Sequence, residues 1–356
     1  MTENLMNLRP MRFRKNLRSW YLKNRRILPW RKTKDPYHIW VSEVMLQQTR
    51  VETVIPYYQK FLQHFPTVKK LAEAKEDQVL AQWQGLGYYR RARHLHQAAK
   101  ELQSTYRGTL PRHSKELKKL KGFGPYTSAA VASIAFGEAV ASVDGNVSRV
   151  ISRLFTTDKN IESYAQEILD PVHPSDFNQA MMELGATLCL PKIPKCQVCP
   201  VSQDCQAKKQ KKWHLYPRKK TKKPSKVLWD HVCFLYHRRS DSFVARQRGQ
   251  DDRWAKMWEC PGIESETQHT APLELKDFLS SHIQFKRELS PLAIFTHKLT
   301  HQDHHVHVYA TEVKKKEIPS SFGQWIAVKE RHNFAMSRLQ QKVIYLSLNE
   351  LLDSSQ

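Results

Sequence analysis

The chain is 356 residues long, about two domains at the usual 150 or so residues each. It carries 58 Lys and Arg against 34 Asp and Glu, a formal charge of +24, and 40% of its residues are apolar. That composition supplies real cores, excludes wholesale disorder and points to a polyanion, most simply nucleic acid, as partner. The most apolar stretch, residues 129–143, is broken by Gly137 and Glu138 and is shorter than a membrane span, and MTENLMNLRP has no apolar signal core, so a soluble intracellular protein is expected.

The first two hundred residues read as helical, with apolar positions recurring at three and four and Gly or Pro between segments. Asp35 and Pro36 supply a cap and a first-turn proline for a helix over residues 37–48. Further helices are expected over 51–64, 88–106, 126–136, 147–155 and 175–188. Glu43 falls in the middle of the first of these, in Trp40-Val41-Ser42-Glu43-Val44-Met45-Leu46. Apolar surroundings disfavour its charge and suit a general acid.

Leu120-Lys121-Gly122-Phe123-Gly124-Pro125-Tyr126-Thr127 reads as a hairpin between helices. Gly122 and Gly124 let the backbone turn sharply, and Pro125 opens a helix whose free N–H groups face the turn, a seat for a phosphate. Twenty residues on, in Val143-Asp144-Gly145-Asn146-Val147, Asp144 falls at a helix N-terminus that favours its ionised form. One protonated and one ionised carboxylate is how glycosidic bonds are broken through an oxocarbenium-like transition state.

Four cysteines follow in the spacing Cys189-x6-Cys196-x2-Cys199-x5-Cys205, while Cys233 and Cys260 stand alone. Four thiolates hold either a tetrahedral zinc or a four-iron, four-sulfur cube. The single C-x2-C pair, the long first loop with Lys192 and Lys195, and the helical region before it favour the cube. Residues 207–226 carry ten Lys or Arg and no acid, which reads as a basic interdomain linker touching phosphates.

After it the pattern changes to an α+β domain. Strands are expected at 227–236, 242–247, 292–299 and 304–313, and helices at 273–281 and 333–352. His301, His304, His305 and His307 read as polar strand residues rather than a zinc site.

Glycine hairpin, Asp144 and cysteine loop, in this order, resemble the helix-hairpin-helix DNA glycosylases of the endonuclease III type. Leu28-Pro29-Trp30-Arg31, the segment around Glu43 through Gln47-Gln48-Thr49, and residues 143–147 are similar to the adenine DNA glycosylases, the MutY family. The resemblance covers residues 8–205 and extends more loosely beyond them. It implies a helical catalytic domain over 1–206 with a [4Fe-4S] cluster on Cys189, Cys196, Cys199 and Cys205, the linker 207–226, and a MutT-like (Nudix) domain over 227–356. It implies a monomer that acts in the bacterial cytoplasm on duplex DNA with adenine opposite 8-oxoguanine or guanine. Bifunctional members have a lysine where Tyr126 stands, and tyrosine forms no imine, so the strand is expected to stay uncut.

By the same resemblance Glu43 protonates adenine N7 and Asp144 stabilises or briefly captures the sugar cation, with Tyr126 and Asn146 assisting. Trp30, Arg31 and Gln179 line the adenine pocket, Gln48 and Tyr88 wedge into the stack, and Gly122 and Gly124 approach the phosphates. In the C-terminal domain Trp258-Glu259-Cys260-Pro261-Gly262 is similar to a Nudix segment, but the acidic run that binds magnesium in Nudix hydrolases is missing after it. The family reads 8-oxoguanine through Phe-Ser-His, matched here by Phe295-Thr296-His297. Two rivals remain: an oxidised-pyrimidine glycosylase with lyase activity, and a non-catalytic iron–sulfur DNA-binding protein.

Overall fold

The computed structural model describes residues 9–218, 224–250, 252–266, 271–284 and 288–353. Part of the basic stretch, residues 219–223, lies outside them. The described chain begins with α1 (Pro10–Asn24), whose Phe13, Leu17 and Tyr21, four residues apart, form a fully buried stripe. In α2 (Pro36–Leu46) the Asp35 carboxylate accepts from the Tyr37 N–H at 2.8 Å, and every residue from Ile39 to Met45 is buried. It ends two residues before the expected limit because Gln48 takes a left-handed φ of 56°.

There follow α3 (Val51–His64), α4 (Val68–Glu73), α5 (Glu76–Trp83) and α6 (Arg90–Thr105). The last begins after Tyr88, again left-handed at φ 50°. Next come α7 (Ser114–Leu117) and α8 (Pro125–Phe136), which Gly137 closes with φ 76°, then α9 (Gly145–Phe155), capped by Asp144. The helical part continues through α10 (Ile161–Ile168), α11 (Pro174–Thr187) and α12 (Gln206–Lys209). One core gathers α1, α9, α10 and α11 around Leu17, Ile151, Ala180 and Met181, with Cys189, Cys199 and Cys205 packed on its edge.

The rest is built on a mixed sheet. The long β1 (Lys226–His237) runs parallel to β6 (Gln302–Glu312), and β5 (Ala293–Lys298) lies antiparallel to β6. On the other side of β1 stands β2 (Ser242–Gln247), followed by β3 (Trp258–Glu259), while β4 (Gly262–Ser265) pairs with β1 and β7 (Gln324–Ala327) with β2. Alternation assigns the two faces. Phe234, Val306 and Val308 pack with Leu339 and Val343 of α14 (Arg338–Asp353), and Cys233, Leu235 and Tyr309 pack with Leu275 and Leu279 of α13 (Ala271–His282). The expected final helix starts at Arg338 rather than 333, because 3-10 turns occupy Val328–Asn333.

The described residues of 1–73 and 94–221 form one compact unit, and those of 74–93 and 222–356 form another. Membership of the second unit therefore includes α5, whose surroundings are C-terminal in sequence. Gln247 donates to Asp77 at 3.2 Å, Tyr89 donates to the Met336 carbonyl at 3.4 Å, and Arg93 donates to the Ala255 carbonyl. Among the described residues no helix is long and apolar enough to cross a membrane.

Candidate active site

In the first unit, a cleft of about 920 Å³ lies where α2, α8, α9 and α11 converge. Trp30, Arg31, Glu43, Gln48, Gly122, Gly124, Tyr126, Asp144, Asn146 and Gln179 all line it. These residues come from five sequence segments, and packing brings them together: α2 lies on α8, and α11 lies on both α8 and α9. The Trp40 ring stacks on Phe123 of the hairpin at 4.9 Å, fixing the turn against the helix that carries Glu43.

Glu43 is 5% exposed. Burial pushes its carboxyl up to about 7, and the nearby Asp144 charge adds to this, while the Tyr126 hydroxyl and the Arg31 guanidinium pull it back. Tyr126 donates to Oε2 of Glu43. With Oε2 accepting, the acid's own proton is carried on Oε1. Burial together with the carboxyl charges pushes the Tyr126 phenol well above its ordinary value, so it stays a donor. Asp144 is fixed differently. Its Oδ1 accepts the Val147 N–H of α9 at 2.7 Å and its Oδ2 accepts from the Asn146 amide at 3.0 Å.

Asn146 is itself held from behind. Arg149 donates to Asn146 Oδ1, to the Gly185 carbonyl and to the Cys189 carbonyl, each at 2.9 Å. Gly185 is needed there, since a β-carbon would fall 2.7 Å from that of Asn146. Of the two hairpin glycines only Gly122 is forced, with φ 80° and no room for a β-carbon against His94; Gly124 has an ordinary φ of −72° and open space around it.

Sequence reasoning missed Glu183 of α11. Its side chain is fully buried and receives Arg26 at 2.7 Å and Arg31 at 2.8 Å. Burial alone raises a carboxyl, but here the two guanidiniums outweigh it and Glu183 titrates below the ordinary range. The cleft thus holds two buried carboxyls of opposite character. Gln179 accepts from Tyr21 at 3.1 Å, and Trp30 meets Tyr58 edge-on at 5.4 Å.

All four clustered cysteines line a second, small pocket with Arg153, Lys195 and Lys208. Arg153, itself buried, reaches Cys189 Sγ at 3.3 Å and the Leu190 carbonyl at 2.8 Å. Four thiols gathered in one pocket under a cationic rim are a donor set that a [4Fe-4S] cluster fits, each thiolate taking one iron. Among the described residues, Asp230, Glu264 and His304 also bring their ligand atoms within 4.8 Å of one another.

In the second unit strand alternation separates the residues expected to read the opposite base. Phe295 and His297 face the α14 side, Phe295 under the Lys342 ammonium at 4.1 Å and His297 near Trp254. Thr296 is exposed on the other face, 3.3 Å from His305 Nδ1. The histidines of β6 divide in the same way. His304 donates from Nδ1 to Asp230 at 2.5 Å and accepts from Arg253 at 2.7 Å, while His305 stacks on Trp229 and His307 on His231. Arg253, which also reaches Glu264 at 3.1 Å, supplies the positive charge at the Asp230–Glu264–His304 group.

A family model described as the HhH-GPD superfamily base excision DNA repair protein matches residues 41–174, and one described as a NUDIX domain matches residues 232–346. An adenine DNA glycosylase of Buchnera aphidicola (subsp. Schizaphis graminum) is 31% identical over 92% of this chain and 96% of its own length. The human adenine DNA glycosylase is 44% identical over 55% of this chain and 39% of its own. A solved thermostable thymine-DNA glycosylase superposes with a TM-score of 0.54 at 30% identity, covering 58% of this chain and 99% of that one. An endonuclease III bound to DNA shares the fold at a TM-score of 0.50 and 24% identity, covering 57% of this chain and 98% of that one.

Proposed function

The chain belongs to the adenine DNA glycosylases of the helix-hairpin-helix base-excision repair superfamily, enzymes that hydrolyse the N-glycosyl bond of adenine in DNA, and from that premise we propose that it acts on adenine opposite 8-oxoguanine or guanine, leaving an abasic site in an uncut strand. The observation that carries the proposal is the pairing of Glu43, buried and held near 7, with Asp144 in one cleft.

Glu43 gives its Oε1 proton to N7 of the flipped adenine. The C1′–N9 bond then breaks, its electron pair leaving with the base, and the sugar becomes an oxocarbenium ion facing the Asp144 carboxylate. Water adds at C1′, and the Glu43 carboxylate takes up the proton that water loses. Tyr126 keeps Oε2 occupied, and Asn146 holds Oδ2 of Asp144. The described cleft lining contains no lysine, so no imine forms and the strand is not cut by β-elimination.

Cys189, Cys196, Cys199 and Cys205 hold a [4Fe-4S] cluster in this reading; when bound it supplies four cross-links that fix the loop beside α9. The protein works as a monomer in the bacterial cytoplasm. Residues 295–297 read the opposite base, and Gln48 and Tyr88 enter the stack.

The test is a duplex bearing a single adenine opposite 8-oxoguanine, incubated with the iron-replete protein and analysed before and after hot alkali. Cleavage only after alkali supports the proposal. Cleavage before it signals a lyase, and an intact strand in both samples overturns the proposal.

A further inference from the structure

Tyr88 stands at the surface, 48% exposed, on backbone that bulky residues rarely adopt. Its φ is 50°, and Gly85 and Gly87 before it are left-handed at 97° and 75°. A cation lies against its ring. The Arg91 guanidinium carbon is 5.4 Å from the centroid of the Tyr88 ring and 5.4 Å from that of Trp83, which is fully buried. Arg91 Nη2 donates to the Gly87 carbonyl at 3.1 Å, and the Trp83 indole N–H donates to the same oxygen at 3.1 Å. One carbonyl therefore ties both groups to the strained turn.

Burial lowers the guanidinium to about 10, so it remains a cation at neutral pH. A planar cation fits between two aromatic faces as an ammonium does not. At its outer end the Tyr88 hydroxyl lies 3.1 Å from Thr300 Oγ1. The ring is thus gripped on one face and at its tip while half of it stays open. A side chain ordered before binding loses less rotamer freedom when it inserts.

We propose that Arg91 is a positioning residue that holds the Tyr88 ring outward on its left-handed turn, so that it enters a base stack already ordered. This inference rests on the proposed wedging role of Tyr88. Arg91 is not among the residues that line the cleft around Glu43; its effect runs through the tyrosine ring, and without that ring it has none.

The experiment is a double-mutant cycle on the full iron-replete chain. Base flipping is followed by the fluorescence of 2-aminopurine placed beside an adenine opposite 8-oxoguanine. Tyr88→Ala slows flipping by about tenfold or more. Arg91→Met slows it about five- to tenfold, as expected for one cation–π contact removed from a partly desolvated site. Arg91→Lys falls between Arg91→Met and wild type, because the charge remains and the planar stack does not. The decisive result is the Tyr88→Ala/Arg91→Met pair, which flips no more slowly than Tyr88→Ala alone. Multiplicative losses in the pair, or wild-type flipping in Arg91→Met, overturn the inference while leaving the wedge intact. Wild-type flipping in Tyr88→Ala overturns the wedge and this inference with it. If Arg91→Met accumulates poorly, the same cycle is closed with Arg91→Lys.

Discussion

The hydroxyl of Tyr126 donates its hydrogen to Oε2 of Glu43, 83 residues away in sequence. The bond opposes burial: it favours the ionised carboxylate that the apolar surroundings disfavour, and the balance leaves the acid near 7. An acid set there is half protonated at neutral pH and exchanges its proton readily in both directions.

The first consequence is a pH profile. Single-turnover adenine release declines as pH rises through about 7, because the proton donor is lost. Tyr126→Phe removes a group that lowers the Glu43 value, so the same decline shifts to higher pH. A Tyr126→Phe midpoint equal to or below that of wild type refutes the role given to the hydroxyl.

Glu43→Gln and Asp144→Asn both fold and bind DNA but lose adenine release by about 10²–10⁴-fold or more. In the first the amide has no acidic proton. In the second the negative charge facing the sugar cation is gone. Single-turnover rates on adenine opposite 8-oxoguanine decide the matter, and near-normal rates in either variant remove that residue from the mechanism.

Glu43 also makes stability pH-dependent. Its folded value near 7 lies above its ordinary 4.5, so the folded chain binds the proton more tightly than the unfolded one. The cost of ionising it in the fold is absent below about 4.5, grows as pH rises, and is complete above about 7, at roughly 3 kcal/mol. Glu43→Gln therefore melts at a higher temperature than wild type at pH 8, and the gap narrows toward pH 5. Equal melting temperatures at both pH values contradict this account.

Glu183 carries the opposite expectation. Glu183→Gln leaves Arg26 and Arg31 without their shared carboxylate, and breaking a buried pair of this kind costs on the order of 3 kcal/mol. Urea unfolding at pH 7 reads the loss. A midpoint within error of wild type means that water replaces the carboxylate.

The cysteine pocket predicts about four irons per chain and broad absorbance toward the blue, with Cys199→Ser losing both and Cys233→Ser keeping them. Stoichiometric zinc without iron, in protein prepared without air, sinks the cube.

For the opposite base, Thr296→Ala weakens the preference for 8-oxoguanine over guanine modestly, in line with one hydrogen bond of about 0.5–1.5 kcal/mol, and Thr296→Ser is near neutral. These point variants are a cleaner test than a chain ending near Lys212. Truncation also strips Asp77, Tyr89 and Arg93 of their partners at Gln247, Met336 and Ala255.

Much of the site was legible because its residues sit at local signals. Asp35 and Asp144 are caps whose bonds span three residues or fewer, and Pro125 marks the start of α8. Glu183 was not legible. A glutamate inside a helix reads as solvent-facing unless its cations are visible, and Arg26 and Arg31 lie more than 150 residues earlier. The limits of α2 and α6 were missed for a local reason of another kind, since Gln48 and Tyr88 are held in a conformation their side chains do not advertise. The expected strands were found, but the parallel pairing of β1 with β6 joins segments some seventy residues apart, which no short-range pattern encodes.

The placement of residues 74–93 with the C-terminal unit sets an order for folding during synthesis. These residues leave the ribosome early, yet the carbonyls that receive Arg93 and Tyr89 belong to residues 162 and 247 positions later. At about 5–20 residues per second the segment waits on the order of ten to fifty seconds for them. During that interval Val79, Leu80 and Trp83 of α5, all buried in the finished protein, lack the segment Val328–Asn333 against which that helix packs. A nascent chain stalled between residues 218 and 255 can finish the cleft around Glu43 and still present this apolar helix to a chaperone.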